Sequence, residues 1–371
     1  MDNTSPDQFY SGVRNLLFNC GDCKSGQTLL IIHENTDETY FEPELALAVS
    51  NAAQELGLTT EFFEVGVVND VSTPNPALSA KIQQADRTLY LARIGDQIRF
   101  HPSGAAGTQI VSYALDRDML ASSFGNADYR AFVAIKNLIN QAMASAKDIH
   151  VTCPAGTDFK GGGVIFAKEG GDVTIKRFPL SVFAPVPARE FKGRIAQVGF
   201  LVGTGSRYYH PYACELTDTL FVDFEDNRIT GFDGNPKDVA AAKAHYERVG
   251  KEFGIDPYFV HSWHAGIHPG CDYKLPAAEY FERWSSGAFG NPRMLHFHTC
   301  GQYPPGEISL NVVDPTIRLD GIAVWENGVL YPDRISGGAD VLNTYPCAAR
   351  AFGDPALSIG LGSNGALSFQ T

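Results

Sequence analysis

Lysine and arginine are scarce in this chain, 29 against 42 aspartates and glutamates, giving a formal charge of −13 over 371 residues. A surface of that sign opposes a phosphate backbone, which needs clustered basic residues to displace its counterions, so nucleic acid is set aside as a partner. Long apolar runs are missing too. No stretch approaches the roughly 18 residues of a membrane-spanning helix. The opening Met-Asp-Asn-Thr-Ser-Pro-Asp has neither the basic start nor the apolar segment of a secretory signal. The expectation is a cytoplasmic protein that does not engage a membrane. Cysteines are few and odd in number, at positions 20, 23, 153, 214, 271, 300 and 347, which does not read as a disulfide framework. Cys20-Gly-Asp-Cys23 has no second C-x-x-C pair to complete a structural zinc site, so a polar turn before a strand is the better reading. Also absent is the G-x-S-x-G elbow of a hydrolase serine nucleophile.

What is present is an ordinary globular mixture, 44% hydrophobic and 19% charged, with enough length for two domains. The run Leu29-Leu-Ile-Ile32 reads as a buried strand, the spacing of Leu45, Val49, Ala52 and Leu56 as a helix over 42–56, and Thr59 to Val65 as a second strand. Leu89 to Ile94 is a further buried strand candidate. Strand, helix, strand in this order predicts a parallel sheet of Rossmann-like shape. The loop after the first strand, Glu34-Asn-Thr-Asp-Glu38, has no glycine and several carboxylates, so it lacks the fingerprint that cradles a dinucleotide pyrophosphate. A helical stretch from Tyr129 to Ala146 closes this part. Beyond it the chain turns to glycine, proline and short apolar runs, with helices expected over 236–253 and 276–284. The expected organisation is an α/β domain over 1–149 followed by a β-rich α+β domain over 150–371.

Five of the ten histidines, His261, His264, His268, His296 and His298, fall between 261 and 298. His264 and His268 share one side if their segment is helical, although Gly266 and Pro269 argue against a long helix. His296 and His298 are two apart, so on a strand both rings project from one face and can offer two nitrogens to one ion. Glu307 follows closely and adds a carboxylate. A few histidines and one carboxylate with open positions is a common non-haem iron(II) arrangement, and zinc or manganese also fits. The metal candidates are therefore His264, His296, His298 and Glu307, with His261 read as structural. A lone buried histidine is more often a hydrogen-bonded core residue than a ligand, so the weight rests on the cluster. His101, in Arg99-Phe-His-Pro-Ser103, and His268 are candidates for proton transfer. Trp263, Phe297 and Tyr303 are candidates to line a mostly apolar substrate pocket, as is Trp284.

Three segments carry a resemblance over most of the chain: Ser25-Gly-Gln-Thr-Leu-Leu-Ile-Ile32, Val151-Thr-Cys-Pro-Ala-Gly-Thr-Asp158, and Ile229-Thr-Gly-Phe-Asp-Gly234. The most specific is the Thr-x-Pro-x-Gly-Thr-Asp pattern from Thr152. They resemble the superfamily of thermophilic-type leucyl aminopeptidases (aminopeptidase T and S) and 2,5-dihydroxypyridine 5,6-dioxygenase. The resemblance implies a Rossmann-like N-terminal domain, a metal-carrying β-rich C-terminal domain and a homodimer. In the dioxygenase a His-x-Gly histidine and a later His-x-Asp pair bind iron. His264-Ala-Gly266 matches the first. The second falls near 308–313, where Asn311 and Val313 stand in place of the ligands. His296 and His298, on the preceding strand, are expected to restore a three-histidine site with His264. Paired-metal peptidase chemistry needs bridging carboxylates, whereas the matching positions here are rich in histidine.

The leading expectation is an iron(II)-dependent oxygenase taking O2 and a small hydroxylated aromatic or heteroaromatic, with Glu307 a ligand or an anchor behind one. The alternatives are a zinc or manganese hydrolase with Glu307 as general base, and a catalytically silent member that binds a peptide or metabolite.

Overall fold

In the computed structural model the described residues are 6–34, 40–66, 75–99, 109–166, 175–203, 207–301, 305–362 and 365. The chain divides into two compact units, one of Met1–Ala131 with Ala167–Leu180, the other of Phe132–Phe166 with Ser181–Thr371. The helix Tyr129–Ser145 contains the first division.

The first unit is built on a parallel sheet. Strands β1 (Thr28–Glu34), β2 (Thr59–Val65), β3 (Arg87–Leu91) and β4 (Gln109–Ser112) are joined by the strand Lys176–Phe178, in the spatial order β2-β1-β3-β4 and then that strand. Leu29 to Ile32 of β1 are buried on both faces, as expected of a central parallel strand covered by helices. β2 lies at the edge and is largely open to solvent, with only Val65 buried. Leu30, Ile32, Leu78, Tyr90 and Val111 pack into one core. The helix expected over 42–56 is Leu45–Glu55, and the strand expected from Leu89 to Ile94 starts and ends a little earlier because Ile94 already opens a short helical turn.

Among the described residues the second unit holds two antiparallel sheets. One has six strands, including β5 (Val260–Ala265), β6 (Met294–Cys300) and β7 (Glu307–Val313), in the order β7-β6-β5 at its centre. The other has eight, among them Asp158–Gly161, Lys192–Gln197 and Leu220–Glu225. Aromatic rings from both fill one core: Phe159 lies 5.2 Å from Phe297 and 5.5 Å from Trp263, and Phe224 lies 5.5 Å from Phe297, in edge-on geometry favoured by the ring quadrupoles. The long helix Pro236–Phe253 forms where the sequence places it. Asn235 caps its start by accepting from the Lys237 amide, and Gly254 ends it in the left-handed conformation. The architecture is thus an α/β unit and a β-rich unit. No helix among the described residues is long and apolar enough to cross a membrane.

Candidate metal centre

The site is a property of strand register. In β5, β6 and β7 the pairs are His264 with His296, Ser262 with His298, His296 with Asn311, and His298 with Ser309. Directly paired residues share a face, so one side of this ribbon carries His264, His296, His298, Ser309, Asn311 and Glu307. The opposite side carries Trp263, Phe297 and Leu310. A bulge between Val260 and Ser262 sets His261 out of the alternation, so the phase that matters begins at Ser262.

On the polar face the Nε2 atoms of His264 and His296 approach to 2.8 Å, and those of His264 and His298 to 3.1 Å. The three residues offer one nitrogen each within 4.8 Å of one another, and among the described residues they are the group of His, Cys, Asp and Glu that could hold an ion. Each ring is fixed from behind. His264 Nδ1 meets the Phe183 carbonyl at 2.9 Å. A carbonyl can only accept, so Nδ1 carries the proton and Nε2 of the neutral ring keeps its lone pair. His298 Nδ1 hydrogen-bonds the Glu307 carboxylate, another acceptor, so Nδ1 is protonated there too and, in the neutral ring, Nε2 keeps its lone pair. The His296 ring stacks on Phe289, centroids 4.2 Å apart and planes 23° from parallel. His264 and His296 are buried and His298 is the more open of the three.

The other sequence candidates fall elsewhere. Glu307 stands behind His298, at the nitrogen that faces away from the cluster, in the position of a residue that orients a ligand. His268 is outside the three-nitrogen group. The β5 strand ends at Ala265, so no helix pairs it with His264. Its ring is fully buried, stacked on Phe132 at 3.8 Å, and accepts from the Gly270 amide at 3.2 Å. Burial pushes its pKa down to about 3. Trp263 and Phe297 are fully buried in the aromatic core on the opposite face. Trp284 is also buried, its indole donating to the Ile359 carbonyl. His101 and Tyr303 lie outside the described residues. His261 hydrogen-bonds Ser262 and its pKa is lowered to about 4, first by burial and then by the neighbouring His298.

Neither a family model nor a curated protein sequence matches the chain. Among solved structures, 2,5-dihydroxypyridine dioxygenase from Pseudomonas putida KT2440 aligns with a TM-score of 0.58 and 15% identity, over 88% of this chain and 98% of that one. This chain has the fold of that dioxygenase. Wild-type AmpT from Thermus thermophilus aligns with a TM-score of 0.45 and 9% identity, over 84% and 95% of the two chains. The fold that the sequence resemblance implied, an α/β part followed by a β-rich part, is therefore shared with the dioxygenase.

Sequence reasoning missed the Phe183 carbonyl and the Phe289 ring, which act through the backbone or through stacking and leave no chemical signature. It also passed over Ser309 and Asn311 as a pair. Their signal was available: Glu307, Ser309 and Asn311 alternate with Ile308, Leu310 and Val312, a polar face on an otherwise apolar strand.

Proposed function

We propose that the second unit is a mononuclear metal centre held by His264, His296 and His298, and that the protein is an iron(II)-dependent oxygenase of small hydroxylated aromatic or heteroaromatic compounds. The observation that carries the reading is how these imidazoles face one another. His264 and His298 both commit Nδ1 to acceptors and so confront each other with Nε2 lone pairs 3.1 Å apart. Two lone pairs at that distance repel unless a proton or a metal ion lies between them, and the convergence of a third imidazole on His264 favours the metal ion.

The donor set fits such an ion. Two nitrogens about 2.1 Å from one ion and about 90° apart are separated by about 3.0 Å, close to the 2.8 and 3.1 Å seen here. Three neutral imidazoles leave the ion's charge uncompensated, and Glu307 offsets part of it through His298, the carboxylate–histidine arrangement that raises ligand basicity. When bound, iron(II) supplies a Lewis acid for a substrate hydroxyl and a reductant toward O2. The protein's own contribution is orientation and exclusion. Phe183, Phe289 and Glu307 hold the rings in place, and burial of His264 and His296 keeps water from competing for the nitrogens.

An oxygenase is favoured over a zinc or manganese hydrolase because the carboxylate a hydrolase needs as general base, Glu307, is engaged with His298 Nδ1. The shared fold with a dioxygenase supports the same choice. The test is elemental analysis after anaerobic reconstitution, followed by oxygen uptake with hydroxypyridines and hydroxylated benzoates. The expected result is close to one iron per chain and uptake that requires iron(II). Oxygen-independent turnover with zinc or manganese points instead to a hydrolase, and failure to retain any metal to a silent binding protein.

A further inference from the structure

We infer that Asn311 is a specificity-determining residue of this centre, whose side-chain amide donates a hydrogen bond to an acceptor oxygen on the ligand. The inference rests on the metal-centre reading above and adds the group that selects what binds there.

Asn311 is directly opposite His296 on β7 and shares its face of the sheet. Opposed side chains on neighbouring antiparallel strands begin about 5 Å apart at Cβ, so the amide is an immediate neighbour of the imidazole. The residue is only 3% exposed. Its Oδ1 accepts from the Ser309 hydroxyl at 3.0 Å, and its backbone N–H donates to Gln197 Oε1 at 2.6 Å. Gln197 is itself held, its Nε2 donating to the carbonyls of Val198 and Phe200. The amide is thus anchored at its oxygen and through its backbone. Its Nδ2, among the described residues, has no hydrogen-bond partner.

A buried N–H with no acceptor is destabilising, and native proteins keep few of them. The neighbours on the same face explain this one. His264 meets both His296 and His298 through Nε2, and an oriented donor stands beside them. A ligand that reaches the ion brings oxygen atoms with it, and an acceptor oxygen close to His296 satisfies Nδ2. The chemical class is the small hydroxylated aromatic or heteroaromatic proposed above, narrowed to one with a second acceptor oxygen beyond the one that meets the ion. A site with such a donor rejects an analogue lacking the acceptor, because the amide is then buried unpaired.

Wild type, Asn311→Leu and Asn311→Asp, each loaded anaerobically with iron(II), are to be analysed for iron content and titrated with 2,5-dihydroxypyridine and with 3-hydroxypyridine, which lacks the second oxygen. All three proteins are expected to carry equal iron. Asn311→Leu should bind 2,5-dihydroxypyridine about tenfold more weakly, the worth of one net hydrogen bond, and 3-hydroxypyridine unchanged. Asn311→Asp keeps the acceptor toward Ser309 but has no donor, and should follow the leucine variant; it decides the matter if the leucine variant does not fold. Equal weakening for both probes would mean a merely structural role and overturns the inference. So do unchanged affinity for both, tighter binding by the aspartate variant, and a wild type that does not distinguish the probes. Loss of iron in the variants overturns it while leaving the metal centre standing. An iron-free wild type overturns both.

Discussion

Buried polar groups in the two units are arranged in opposite ways. In the first unit, at the carboxyl ends of β1 and β3, Glu34 pairs with Arg93 at 2.9 Å with both side chains almost fully buried. Asp96 pairs with Arg99 and accepts from the Tyr113 hydroxyl. Each of these four charges faces one of opposite sign. In the second unit three like groups converge, and the hydrogen bonds at Nδ1 of His264 and His298 turn Nε2 of both rings inward. Self-compensated polarity needs nothing from outside and holds a fold together. Polarity compensated only on its outer side is left to be completed by a bound ion. The chemical types of the residues do not separate the two cases; the direction in which each is satisfied does.

The sharpest break of this comparison is removal of one converging nitrogen. His264→Ala or His298→Ala should take bound metal from about one ion per chain to almost none, with His261→Ala unchanged, as read by elemental analysis. Equal loss in all three variants would show that the ligand set is wrong.

In the first unit the expected response is in stability. Arg93→Met strands the buried Glu34 carboxylate and should lower the unfolding free energy by about 3–5 kcal/mol, whereas the double replacement Glu34→Leu with Arg93→Met should recover most of it. Urea unfolding measures both. A double variant as weak as the single one would mean that the pair does more than neutralise itself.

A smaller effect tests the outer side of the site. Glu307→Gln keeps an acceptor for His298 Nδ1 and removes its charge. Metal affinity should fall by about 10–100-fold with the fold intact, measured by competition with a chelator. An unaltered affinity would show that Glu307 does not tune His298.

Much of this contrast was legible in the sequence. The i,i+2 spacing of His296 and His298 placed both on one face, and the clustering drew in His264. The order of β1, helix and β2 followed from apolar periodicity, since Leu29 to Ile32 can be so continuously apolar only in a covered parallel strand. What was not legible depends on pairing across many residues. The register that sets Asn311 opposite His296, and the carbonyl of Phe183 that fixes the His264 tautomer, arise from strands and loops brought together in the fold. No local pattern encodes them. The same gap explains Trp263 and Phe297: their nearness in sequence to the histidines means, on a strand, that they point the other way.

His268 provides the last and smallest test, because it lies in the same histidine-rich segment yet stands outside the three-nitrogen group. It is stacked on Phe132 and satisfied at Nδ1 by a backbone amide, and burial lowers its pKa from 6.5 to about 3. A base whose folded pKa is depressed binds its proton more readily when unfolded. Its contribution is therefore complete above about pH 6.5 and is lost as the pH falls toward 3, at up to about 1.4 kcal/mol per pH unit. At neutral pH the titration has no effect. His245, also buried, is lowered to about 4 and adds a second limb of the same sign. Replacement by a ring that cannot titrate, His268→Phe, should flatten the decline of urea-unfolding free energy between pH 6 and pH 4 by about one proton's worth and leave metal content unchanged. A slope equal to that of the wild type would show that His268 is charged in the folded protein, and a loss of metal would move it from the core into the site.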